Sequence, residues 1–296
     1  MIFVLGGIVT ELANKQNIEK LLAENGFSFK KSLGQNFLID STVCPAMAAA
    51  ACNGETGVLE IGPGIGVLTK ELSAAAKRVV AIELDERLKP VLNKTLAECG
   101  NVKVIFGDAL KLDLKNIIKT EFADCTNVAV CANLPYYITS PVIMRLLNQK
   151  LPLNNITVMV QKEAAERLCA AVGTRQAGAV TVAVEYFSKA EIVFEVKRSS
   201  FLPAPNVDSA VIKLNIRKTP AVKVSDEAAF FRFVKACFLQ RRKTMANTLA
   251  NCLKIDRQTV VSAIEEAGIN NTVRAEALKT EELAAVFENL LKKCEF

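Results

Sequence analysis

The chain has 296 residues, 51% hydrophobic and 23% charged, with 37 basic against 31 acidic side chains and a formal net charge of +6. This suits one large or two ordinary globular domains, and the mild basic excess is compatible with a nucleic-acid partner without requiring one. The absence of histidine excludes Ser-His, Cys-His and His-metal arrangements, so no metal is expected, and the absence of tryptophan leaves base stacking to Phe and Tyr.

No apolar run approaches the length of a membrane span. Residues 1–9 are apolar but short, lack a preceding basic residue and are soon followed by Glu11; they read as an extended start, not a signal peptide. The nine cysteines are an odd number without a CxxC pair, and read as small buried hydrophobes in a reducing cytosol. A cytoplasmic protein with no membrane partner is expected.

In chain order, residues 11–25 have helical spacing, with Ile18, Leu21 and Leu22 on one face and Gly26 as the stop. A basic loop from Phe27 to Leu38 follows, then an alanine-rich helix over 44–52. From Val58 strands and helices alternate. Strands are expected at 58–61, 79–82, 102–106, 128–132 and 156–160, with helices at 67–77, 86–98, 141–148 and 162–171. Apolar strands separated by helices indicate a doubly wound parallel sheet whose strand C-terminal ends share one ligand-binding edge. Residues 180–187 fit either helix or strand, while 191–196 and 210–216 read as strands. Residues 218–226, with Pro220, read as a linker, and Ser225-Asp226-Glu227 as a helix start. The remainder has helical spacing, with Phe231, Val234 and Phe238 as an apolar stripe. The expected division is an α/β catalytic domain over 1–217, including an N-terminal helix and loop over 1–43, and a small all-helical domain over 218–296.

Four strand ends carry chemistry. After the first strand, Gly62-Pro63-Gly64-Ile65-Gly66 allows a sharp turn and close ligand approach, although dinucleotide-binding loops and plain structural turns are written similarly. Glu83 ends the second strand, where a carboxylate can accept from both ribose hydroxyls; its spacing from Gly62 suits nicotinamide enzymes equally. Asp85 reads as a helix N-cap. Asp108, after the third strand, can accept from an adenine amine or serve as an ordinary turn residue.

Asn133-Leu134-Pro135-Tyr136 follows the fourth strand. Asn133 Oδ1 and the Leu134 carbonyl can each accept one proton of a base's exocyclic amine, leaving its lone pair localised and aimed. Pro135 stiffens the turn, and Tyr136 can stack on the base, a contact worth about 1–3 kcal/mol. A structural Asn-turn with a core tyrosine is the plainer alternative. The pattern is similar to the Rossmann-like class I methyltransferase fold, which uses S-adenosylmethionine.

Taken with Lys31-Ser32-Leu33-Gly34-Gln35-Asn36-Phe37-Leu38, Glu60-Ile61-Gly62-Pro63-Gly64, Gln161-Lys162-Glu163 and the segment 201–211, these motifs resemble the rRNA adenine N6-dimethyltransferases of the small-subunit (KsgA) branch. The resemblance runs from Phe27 to nearly the C-terminus. It implies dimethylation of two adjacent adenosines near the 3′ end of 16S rRNA on the assembling small subunit, with a role in subunit biogenesis; a monomer is expected. It also implies that Asn36, Leu38, Gly62, Gly64, Glu83, Asp108 and Asn133 contact the cofactor, and that Phe201 lies near the target base opposite Tyr136. Read directly, Phe201 could equally be a loop anchor beside the stiff Pro203 and Pro205. Arg232, Lys235, Arg241, Arg242 and Lys243 suit phosphate contacts or a solvated helix surface. Three rival functions remain: a large-subunit (23S) rRNA methyltransferase of the macrolide-resistance type, a nicotinamide-dependent oxidoreductase, and a non-catalytic assembly factor.

Overall fold

The computed structural model describes residues 15–24, 37–294 and 296. The expected N-terminal helix is seen as α1 (Lys15–Glu24); the rest of its span, residues 1–9 and the basic loop as far as Asn36 lie outside the described residues. Next come β1 (Phe37–Leu38), α2 (Val43–Ala51), β2 (Thr56–Ile61), α3 (Val67–Ala75), β3 (Arg78–Glu83), α4 (Lys89–Thr95) and β4 (Val102–Phe106). They are followed by α5 (Leu114–Glu121), β5 (Asn127–Asn133), α6 (Thr139–Asn148), β6 (Asn155–Gln161) and α7 (Lys162–Leu168). Then come α8 (Ala179–Phe187), β7 (Ser188–Val196), β8 (Phe201–Leu202) and β9 (Ser209–Ile216). The C-terminal helices are α9 (Glu227–Cys237), α10 (Met245–Leu253), α11 (Arg257–Glu266) and α12 (Thr280–Leu291).

Seven strands form one sheet in the order β4-β3-β2-β5-β6-β9-β7, and β1 pairs with β8 separately. The pairs β4–β3, β3–β2, β2–β5 and β5–β6 are parallel, as alternating strands and helices require. The β9 strand runs antiparallel to β6, so the sheet is not wholly parallel. Every residue of β2 is buried, as expected for a strand covered on both faces. The chain moves outward from β2 to β3 and β4, then returns to the other side of β2 as β5. This reversal leaves a crevice at the C-terminal ends of β2 and β5, where open α/β sheets take their ligands.

One open alternative is resolved and one local expectation changes. The segment 180–187 is a helix, α8, with Thr181 accepting from the Gly178 N–H at its start. The apolar stripe of α9 runs through Phe230, Phe233, Val234 and Cys237, while Phe231 and Phe238 are half-buried at its margin. Both stripes have helical spacing, so periodicity alone did not separate them.

The protein divides into two compact units. One ends at Ala165 and resumes over Glu191–Ile216; the other joins Glu166–Ala190 to Arg217–Phe296. Val182 and Tyr186 of α8 are core residues of the second unit, together with Phe230, Phe233 and Phe287. A single division at 217/218 differs from this grouping over 166–190. Among the described residues, no helix is long and apolar enough to cross a membrane.

Candidate active site

One cavity of about 350 Å³ lies in the first unit at the C-terminal edge of the sheet. It is lined by Leu38, Gly62, Gly64, Glu83, Asp108, Asn133, Leu134, Tyr136 and Phe201, which were singled out from the sequence. Asn36 lies outside the described residues.

The glycine loop is built by backbone geometry. Gly62 has φ +74°, where a side chain is strained, and the space its Cβ would take is open. Gly66 has φ +89° and caps α3, leaving the first-turn amides at the end of β2. Glu83, almost wholly buried, binds this loop to β3. Its Oε2 accepts from the Gly64 N–H at 3.1 Å and its Oε1 from the Asp85 N–H at 2.8 Å. Burial raises its pKa, while these N–H groups oppose the rise. A carboxylate has about four lone-pair sites, so both oxygens can still accept from a ligand diol.

Asp108 has its own turn role. Its Oδ1 accepts from the Leu110 N–H at 2.9 Å, and its Oδ2 lies 3.7 Å from Lys111 Nζ. Asp108 thus shapes a turn and also lines the cavity. Asp85 caps the following turn, accepting from the Arg87 N–H.

Asn133 ends β5, and the Leu134 N–H extends the ladder to the Met159 carbonyl at 3.3 Å. Pro135, with φ −54°, turns the chain into a short 3₁₀ turn over Tyr136–Ile138. Half-buried Tyr136 is tied by its hydroxyl to Ser209 Oγ on β9, at 2.9 Å. Phe201 is almost fully buried on β8, where it pairs directly with Leu38 of β1. The Ile39 N–H donates to the Ser200 carbonyl at 2.9 Å, and the Ser200 hydroxyl to Asp40 Oδ2 at 3.0 Å. Phe201 is thus both a packed anchor and part of the cavity wall.

Sequence reasoning assigned no role to Glu60 or Ser209. The signal for Glu60 was a lone acid inside the apolar run Val58-Leu59-Glu60-Ile61, which a buried strand does not favour. Glu60 is fully buried, and both its oxygens lack a hydrogen-bond partner. Ser209 has no comparable signal; only the fold brings it to Tyr136.

The charge of the cavity discriminates between ligands. Glu83 and Asp108 place acidic groups on its wall, and no Lys or Arg lines it among the described residues. Such a wall opposes a dinucleotide's pyrophosphate and favours a cation. A cationic adenosyl sulfonium suits this lining, which offers the acceptors Glu83 and Asp108 and open room beside Gly62.

The family model for ribosomal RNA adenine dimethylase matches residues 26–292. The chain belongs to this family. It is an rRNA adenine dimethyltransferase that takes its methyl groups from S-adenosylmethionine. It is 47% identical over 285 residues to the ribosomal RNA small subunit methyltransferase A of Geobacillus thermodenitrificans, covering 95% of this chain and 97% of that one. The protein of the same name from Bacillus pumilus is 46% identical over 290 residues, covering 97% and 99%. Among solved structures, a dimethyladenosine transferase from Plasmodium falciparum superposes with a TM-score of 0.72 at 26% identity, covering 87% of this chain and 98% of that one. The 23S rRNA methyltransferase ErmE gives 0.65 at 27%, covering 86% and 99%. This family's fold is a Rossmann-like methyltransferase sheet, here with helices in the C-terminal region.

Proposed function

We propose that this chain dimethylates N6 of two adjacent adenosines near the 3′ end of 16S rRNA on the assembling small subunit. It acts in the cytoplasm as a monomer and contributes to subunit biogenesis. The observation that carries this reading is the Asn133–Tyr136 corner opening on an acidic cavity free of basic side chains among the described residues. The choice of small-subunit rRNA draws support from relatives named for that subunit at 45–48% identity, against 27% for ErmE.

Bound S-adenosylmethionine supplies an electrophilic sulfonium methyl. Asn36, Leu38, Gly62, Gly64, Glu83, Asp108 and Asn133 hold it. In the first transfer Asn133 Oδ1 and the Leu134 carbonyl accept the two N6 protons, and in the second one of them accepts the single proton that remains, which draws the nitrogen lone pair out of the ring and aims it. Tyr136 stacks on the adenine and Phe201 closes the opposite side. This chemistry is positioning and electrostatics, needs no strong base, and lets the N6 proton leave to water afterwards. Lys235, Arg242 and Lys243 meet rRNA phosphates. Arg241 is committed within the helical unit, to Glu276 at 3.0 Å and to the Arg175 carbonyl.

Incubation with tritiated S-adenosylmethionine tests this reading on immature small subunits from cells lacking the protein and on protein-free 23S rRNA. Label should map to two adjacent adenosines of 16S rRNA. Label on 23S rRNA alone would assign the chain to the macrolide-resistance type, and tight RNA binding without label to a non-catalytic factor.

A further inference from the structure

Glu60 is the least explained group in the cavity wall. It sits mid-sheet on β2, directly beside Cys131 of β5 in the parallel register. Cys44 faces it from α2 and Thr69 from α3, and Glu83 of β3 adds like charge. Glu71 and Asp40 act on the same Cys44. Among the described residues, each titratable group acting on Glu60 or Cys44 is therefore an acid or a thiol. The Thr69 hydroxyl lies alongside but makes no hydrogen bond of regular geometry. A buried carboxylate without partners costs several kcal/mol, and a hydrophobic side chain would fill this volume at no such cost. The carboxyl is thus hard to explain as packing.

We propose that Glu60 is a proton-exchanging counter-charge beneath the cavity: it is protonated when no cation is bound and ionises as the positively charged methyl donor enters. This rests on the S-adenosylmethionine reading and deepens it. The exchange is simple: the Glu60 carboxylic acid gives its proton to solvent and becomes a carboxylate opposite the bound positive charge. Burial, reinforced by Glu83, pushes the empty-site carboxyl up to about 8, so it holds its proton near neutrality. A nearby cation favours the charged form and draws the proton off. Glu60 regains a proton once the sulfonium charge has gone.

Calorimetry on the whole protein tests this, with S-adenosylmethionine and S-adenosylhomocysteine titrated in phosphate and in Tris at about pH 7.5. The two ligands share an ammonium, so their difference isolates the sulfonium. The buffer dependence should show more proton release with S-adenosylmethionine than with the homocysteine. Affinity for S-adenosylmethionine should fall roughly ten-fold or more between about pH 8.5 and about pH 6.5. Glu60→Gln should abolish the extra proton release and flatten that part of the pH profile. Equal release for both ligands in the wild type overturns the proposal, as does an unchanged proton count in Glu60→Gln. If Glu60→Gln does not fold, the wild-type ligand comparison decides alone. Binding heat without proton release overturns this inference only, whereas no binding of either ligand overturns the cofactor reading as well.

Discussion

At Asn133 a single oxygen is assigned the task of turning a poor nucleophile into a good one. Losing one such preorganised acceptor should lower turnover about a hundred-fold or more. Asn133→Ala should do so in single-turnover methylation while cofactor affinity, measured by calorimetry, falls much less. Tyr136 is assigned a task that uses its ring face. Its hydroxyl is already engaged with Ser209, and a hydrogen bond of this kind contributes about 1 kcal/mol. Tyr136→Phe and Ser209→Ala should each cost only a few-fold in kcat/KM and should not be additive, because they cut the same bond. Tyr136→Ala should cost far more; equal damage from Tyr136→Phe would reassign the function to the hydroxyl. Glu60 also sets a pH dependence of stability. Its pKa rises from 4.5 to about 8 on folding, so the folded state holds the extra proton across that window. Its contribution is fully present below about pH 4.5 and is lost as pH rises to about 8. Glu60→Gln should match the wild-type Tm near pH 5 and exceed it near pH 9 in thermal melts. Glu83 and Asn133 were legible because each ends an apolar strand, and Asp108 because it follows one at two residues' distance. Ser209 was not, because its partner is 73 positions away and only strand pairing brings them together.

The elements nearest the cavity show how little secondary structure is needed to shape it. The loop Gly62–Gly66 has three residues at positive φ, and its middle amide is held by Glu83. Gly62→Ala forces a side chain into left-handed backbone, costing about 1–2 kcal/mol, and puts a methyl into open space at the cavity wall. It should lower Tm modestly and weaken S-adenosylmethionine binding in the same calorimetric assay by a larger factor. Unchanged affinity would show that this space is not used by the ligand. The main strands could be read from apolar runs bounded by turns, since buried parallel strands are written that way. The α5 helix escaped because its stretch, Leu114–Glu121, is polar and buries only Leu114 and Ile118. The α9 stripe was misplaced by one residue because it has two overlapping apolar faces, and only contact with α12 selects the one through Phe230 and Phe233.

Across the whole molecule, a net charge of +6 attracts RNA without specifying it, so specificity is assigned to the cavity and to a few exposed cations. Replacing Arg242 and Lys243 together by Ala should weaken subunit binding and reduce its salt dependence, with the slope of log affinity against log salt falling by about one for each lost phosphate contact. Cofactor affinity should not change, since both side chains belong to the helical unit. The family resemblance could be read along most of the chain because its motifs sit at successive strand ends. The grouping of 166–190 with the helical unit could not, because α8 is apolar on nearly every side and would suit either core. That membership has a practical consequence. The backbone passes from one unit to the other three times, near 165, 190 and 216, so the helical unit is not a cassette. A chimera that grafts a relative's residues 217–296 alone would join a foreign bundle to the resident α8, mismatching the surfaces around Val182 and Tyr186. A graft that exchanges both segments keeps those surfaces matched, and is the form in which substrate preference could be transplanted between family members.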